Sequence, residues 1–319
     1  MTKSPNEGLS VNEIAVGIAE EMIQNREELG ISVSVLKNGT TIIDAGANSP
    51  GGIRAGVYFA KVCLGGLCDI SLGMNGRFNI HVFIDNPKVA CMACQFAGWS
   101  ISVDKYFAMA SGPARALSRV EKKLYDTICC QDVFHKAVIA LETRKAPDEK
   151  VANFIAEKCC IDPKNLYVLV APTASIVGSV QISARVVETG IHKLHELGFD
   201  LDKIISGFGT APIAPVAKND LEAMGKTNDC VLYGGVTRYF VDCDDANIEK
   251  IIEKVPSSSS KDYGMPFLET FEKYDKNFYD IDPHLFSPAE IYMNNIRTGN
   301  NFHAGKVNDE ILDKSLGKW

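Results

Sequence analysis

The chain has 319 residues, enough for two ordinary domains or one large one. Hydrophobic residues make up 46% and charged residues 23%, which fits a globular protein with a substantial core. A formal net charge of −7, with no basic block and no basic-aromatic interleaving, argues against a nucleic-acid partner. The apolar runs are too short to cross a bilayer, which argues against a membrane partner.

The opening "MTKSPNEGLSVNEI" lacks the apolar centre of a signal peptide, so a cytoplasmic location is expected. From Ser10 a capping box with Glu13 starts an amphipathic helix that stops at Gly30. Alternating apolar residues on both sides of Asn38-Gly39 predict a hairpin, and "NSPGG" a turn. "IRAGVYFAKVCLGG" fits helix and strand equally. "RFNIHVFIDNP" predicts a strand, and "KVACMACQFAGW" a buried helix. Residues 104–126 read as strand, tight Ser-Gly-Pro turn and helix. "KAVIALETR" reads as a strand and "PDEKVANFIAEKC" as a helix.

In "NLYVLVAPTASIVGS" a strong strand runs into a loop, and a helix through "QISARVVETGIHKLH" follows. "GFGTAPIAPVAKND" is expected as a long loop, with "CVLYGG" and "TRYFVDCDD" as paired strands around Gly234-Gly235. Two more helices are expected in "DANIEKIIEKV" and "PFLETFEKY". "SPAEIYMNN" reads as a further helix, with Ser287 as N-cap, Pro288 at the first position and Glu290 closing the box. "IRTGNNFHAGKVND" is then a polar loop. The interleaving of strands and helices, with hairpins, gives an α/β (α+β) class with mixed sheets. "YFAMASGP" at 106–113 echoes "YVLVAPT" at 167–173. Two α/β domains are expected, 1–155 and 156–319 or discontinuous in the chain, and a duplication of that unit would make them related.

Ten cysteines fit reduced, mostly buried thiols. "CMAC" at 91–94 has redox or zinc spacing, but no second pair completes a metal site. The dinucleotide and P-loop glycine patterns are absent. The most informative segment is Gln181–His195. Gln181, Arg185, Glu188, His192 and His195 are spaced 4, 3, 4 and 3 apart, so at about 100° per residue they share one helix face. Such a row is either solvated, with an ordinary i,i+3 ion pair, or the wall of a cleft. The apolar strand before it and the small-residue loop favour the cleft, since ligands gather beyond the carboxyl ends of strands. Thr173, Ser175, Gly178 and Ser179 offer donors for an anion beside a helix start, and "ASGPAR" offers Ser111 with Arg115 adding charge. His192 and His195 have metal-compatible spacing without a third ligand. His81, His135, His284 and His303 are isolated.

"SVQISARVVETGIHKLHELGFD", with "APTAS" before it and "GFGTAPIAP" after it, resembles the methenyltetrahydromethanopterin cyclohydrolases of methanogenic and related archaea. "MASGPARAL" and "FSPAEIYMNNIRTGN" fit the same family, and the likeness covers essentially the whole chain. The resemblance implies two α/β domains with a pterin cleft between them. It implies reversible hydrolysis of the 5,10-methenyl bridge to the 5-formyl compound, with catalytic Glu188 and Arg185. It implies no metal, no cofactor beyond the pterin carrier that is the substrate, and a homo-oligomer, a trimer. Gln181, Ser111, Thr173, Ser175 and Ser179 are then expected to contact the substrate. Rival readings are a non-catalytic carrier built on the same cleft, another C1 enzyme of the same pterin, and a thiol-redox protein using Cys91 and Cys94.

Overall fold

The structure, a computed structural model, describes residues 9–317. The stretch 1–8, part of the segment read as free of a signal core, lies outside them. Twelve strands run through the described residues: β1 (Ser32–Val35), β2 (Thr41–Asp44), β3 (Asp69–Asn75), β4 (Arg77–Ile84), β5 (Trp99–Val103), β6 (Tyr106–Ser111), β7 (Ala137–Glu142), β8 (Leu166–Ala171), β9 (Ile204–Pro212), β10 (Val236–Val241), β11 (Glu290–Asn295) and β12 (Asn301–Gly305). They form two six-stranded sheets, in the orders β1-β2-β8-β7-β6-β5 and β12-β11-β10-β9-β4-β3. Both are mixed: β8 runs parallel to β2 and β7, and β10 parallel to β11, while the other neighbours are antiparallel.

The first sheet is covered on both faces. Along β7 and β8 alternate residues point to opposite sides. Ile139, Leu141, Val168 and Val170 pack with helix Glu149–Lys158, whereas Val138, Ala140, Leu169 and Ala171 pack with helices Val11–Gln24 and Ile53–Cys63. Burial on both faces explains why these strands read as continuous apolar runs. The second sheet is covered on one face only. Ile80, Val82, Tyr239, Val241, Ile291 and Met293 face a helical layer, and Phe83, Arg238 and Phe240 on the other face are exposed.

A cut near residue 155 does not divide the sheets. β8 belongs to the first sheet and β3–β4 to the second, so each draws strands from both halves of the chain. The two echoing strands, β6 and β8, lie in one sheet on either side of β7 and point in opposite directions, rather than in two domains.

The hairpin at Asn38-Gly39 forms, with Gly39 at φ 89°. "IRAGVYFAKVC" is helical, and "KVACMACQ" is a wide π-type helix over Lys88–Gln95. Four segments differ from expectation. "GFGTAP" is strand, not loop: β9 carries Gly207 and Gly209 where the sheet meets a helix. "CVL" ends helix Asp220–Leu232, so only β10 follows the two glycines. "EIYMNN" is β11, because Ile291, Met293 and Asn295 alternate into the core beside β10, and that pairing overrides the local capping signal. Part of the expected polar loop is β12, paired with β11.

Candidate active site

The expected helix through Gln181–His195 is broken. Helix Ile176–Ser183 ends, Ala184 and Arg185 form a turn, and helix Val186–Glu196 begins. Packing explains the break. The first piece lies against helix Ile53–Cys63, so closely that a Cβ on Gly56 would stand 2.6 Å from Val180. The second piece lies on the second sheet, where a Cβ on Gly209 would meet Val186 and Val187 at 2.7 Å. The chain therefore steps from the layer over one sheet to the layer over the other, and Arg185 stands at the step.

Three elements converge on that guanidinium. Its Nη1 donates to the Gln95 carbonyl at 2.7 Å, at the end of the π-type helix. Its Nη2 donates to the Ser111 hydroxyl at 3.2 Å, at the end of β6. Glu188 Oε2 lies 3.7 Å from Nη1, an ion-pair separation one helical turn away. Both side chains are largely buried, at 14% and 7% exposure for Arg185 and Glu188. These two residues are therefore not a solvated surface ion pair. A buried pair held by hydrogen bonds on several sides is a candidate for chemistry rather than surface decoration.

Burial raises the Glu188 carboxyl above its ordinary range. Arg185, then His192 and Arg115, pull it back down but do not win. A neighbouring guanidinium by itself would set this carboxyl low; desolvation outweighs it. The result is a carboxyl suited to taking up and releasing a proton rather than one locked as an anion.

Gln95 carried no expectation. It is fully buried, donates its amide to the Ala184 carbonyl at 3.3 Å, and so ties the helix break to the π-type helix. Its Oε1, like Oε1 of Gln181, is buried without a protein partner. The available signal was one glutamine ending an otherwise apolar run, in a helix type that concentrates at functional sites.

The remaining expected contacts divide. Ser111 holds the guanidinium, Cys63 Sγ lies 3.4 Å from Ser111 Oγ, and Gln181 is buried in the first helix piece. Ser179 is buried in the first helix piece. Thr173 and Ser175 are engaged by the chain itself: Thr173 donates to Glu142 at 2.5 Å, and Ser175 donates to the Pro172 carbonyl and caps the helix by accepting from the Gly178 N–H at 2.9 Å. Arg115 brings no free charge. It is fully buried, paired with both oxygens of Glu121 at 2.8 and 2.6 Å, and donates to the Met92 and Cys94 carbonyls.

All ten cysteines are free, and burial pushes the Cys91 and Cys94 thiols far up, the opposite of what a reactive thiol needs. Among the described residues no group of three or more His, Cys, Asp and Glu side chains could hold a metal ion, and no helix is long and apolar enough to cross a membrane. A groove of about 710 Å³ opens elsewhere, on the uncovered side of the second sheet beside Arg77, His81, Phe208 and Asp313, and none of the expected site residues lines it.

Residues 10–316 match the family described as Cyclohydrolase (MCH). The chain is 48% identical over 316 residues to the methenyltetrahydromethanopterin cyclohydrolase of Methanosarcina barkeri, covering 97% of this chain and 98% of that protein. It is 47% identical to the protein of the same name from Methanocaldococcus jannaschii, with 97% and 98% covered, and 47% identical to that of Methanothermobacter marburgensis, with 97% and 99% covered. A match over nearly the full length of each partner, with a buried Arg–Glu pair at the junction of the two sheets, leaves one conclusion: the chain belongs to the cyclohydrolase (MCH) family.

Proposed function

We propose that this chain hydrolyses 5,10-methenyltetrahydromethanopterin reversibly to the 5-formyl compound, with Glu188 and Arg185 as its catalytic residues. The observation that carries the reading is the buried carboxylate of Glu188, 3.7 Å from a guanidinium that is itself fixed by the Gln95 carbonyl and the Ser111 hydroxyl. The methenyl carbon lies between two nitrogens in an amidinium-like cation. Water adds to that carbon and loses a proton, and the carbinolamine then collapses as one nitrogen leaves with a proton. One carboxyl can serve both steps, as base toward water and then as acid toward the amine. A carboxyl raised by burial suits that alternation, and its negative charge favours the cationic substrate.

A cation beside a cationic substrate is unfavourable. In this reading Arg185 orients Glu188 and the attacking water, and its charge is offset by the carboxylate one turn away. Arg115 is neutralised by Glu121 and adds no repulsion. In this reading the pterin reacts beside Arg185 and Glu188, where Gln181 and Ser111 contact it. Thr173, Ser175 and Ser179 shape the first helix start on its side. The reading includes no metal and no cofactor beyond the pterin carrier. It places the protein in the cytoplasm as a homo-oligomer, a trimer. The uncovered face of the second sheet, with Phe83 at 46% and Phe240 at 37% exposure, supports assembly.

Loss of the methenyl chromophore on addition of the purified chain tests the reading. Catalytic loss at substoichiometric protein is expected. A stoichiometric change in absorbance without turnover would identify a carrier instead.

A further inference from the structure

His192 lies one turn beyond Glu188 on helix Val186–Glu196. In the structure its ring stacks on Phe96, with centroids 4.8 Å apart and planes within 16°. Its only charged neighbour at ion-pair range among the described residues is Glu196, at 3.8 Å. Phe96 directly follows Gln95, whose carbonyl holds Arg185. The guanidinium of Arg115, immobilised by Glu121, also lies over the Phe96 ring, 5.4 Å from its centroid. Phe96 is thus gripped by a rigid cation from one element and by the imidazole of His192 from the helix that carries Glu188.

We propose that His192 is a positioning residue: by stacking on Phe96 it fixes the Gln95 carbonyl, and through it Arg185, in register with Glu188. The inference rests on the assignment of Arg185 and Glu188 made above. The chain of contacts closes on itself. Glu188 and His192 share one helix face, His192 holds Phe96, the adjoining Gln95 carbonyl holds Arg185, and Arg185 faces Glu188. A displacement of about 1 Å at one link is enough to misalign a reacting group and slow turnover by one to two orders of magnitude. Because His192 needs only a flat ring for this role, phenylalanine can replace it and alanine cannot.

The test compares His192→Ala, His192→Phe and the double variant His192→Ala/Phe96→Ala with the parent protein, with Glu188→Gln alongside. His192→Ala is expected to lower kcat about tenfold with KM changed less than about threefold. His192→Phe is expected to recover most of kcat. The alanine at 192 should add little once Phe96 is already alanine, since both break the same link. The proposal is overturned if His192→Ala keeps the parental kcat, if His192→Phe is as slow as His192→Ala, or if the two alanine effects multiply independently. Full turnover by Glu188→Gln would instead remove the underlying assignment. Collapse of Glu188→Gln with a normal His192→Ala removes the role of His192 alone.

Discussion

Glu188 combines two features that conflict thermodynamically: it is buried, and its proposed work requires it to ionise. Burial holds its carboxyl above the ordinary range even with Arg185 nearby. The charged form therefore costs folding stability as pH rises from the ordinary carboxyl range through the raised native value, and the cost is absent below that range. Glu188→Gln removes the titration while keeping the shape. It is expected to melt higher than the parent at about pH 8, on the order of 2 °C, with the difference closing toward pH 4.5. Thermal melts across that range check it; a lower melting point at pH 8 would mean that the ionised carboxylate stabilises the fold. At this scale the pair was legible. Arg185 and Glu188 stand three apart in the sequence, and that spacing, which brings them together across the helix start, is visible in the string. Gln95 was not legible, because what it gives Arg185 is a backbone carbonyl, which every residue possesses. Only the tertiary placement makes that carbonyl useful.

Helix Val186–Glu196 owes its position to the strand beneath it. Gly207 and Gly209 on β9 leave room for Val186 and Val187, and the Tyr239 hydroxyl donates to the Val187 carbonyl at 2.8 Å from the next strand. Gly209→Ala would place a Cβ 2.7 Å from both valines. It is expected to destabilise the protein by about 1–3 kcal/mol and to lower kcat together with stability, since the helix that must move carries Glu188. Denaturant titration and steady-state kinetics check it. Unchanged stability would show that the helix does not rest on this strand as tightly as the geometry requires. The same glycines explain why β9 read as a loop. Gly, Pro and Ala are poor strand formers, and here they sit in a strand for the sake of close packing. β11 misled for the opposite reason. Ser287, Pro288 and Glu290 form a genuine local helix signal, but Ser287 donates to the Val255 carbonyl, and the segment pairs with β10 and β12.

Across the whole molecule, the strands of each sheet come from distant parts of the chain. β2 pairs with β8, and β4 with β9, each more than a hundred residues away in sequence. The mixed α/β class could be read from alternating elements, but the interleaving could not, because pairing partners so far apart leave no local trace. That interleaving is what brings the π-type helix, the end of β6 and the broken helix to one point between the sheets. It also leaves one face of the second sheet uncovered, a surface that includes exposed Phe83 and Phe240. Light scattering in solution is expected to give three times the chain mass. A monomer mass at micromolar concentration would contradict the proposed assembly.

In the proposed mechanism one buried carboxyl moves the proton in a site held by Arg185. Its most direct test is the turnover of Glu188→Gln set beside its affinity for the methenyl pterin. A rate lower by about 10²–10⁴-fold is expected, with binding weakened no more than severalfold. Turnover near that of the parent protein would contradict it.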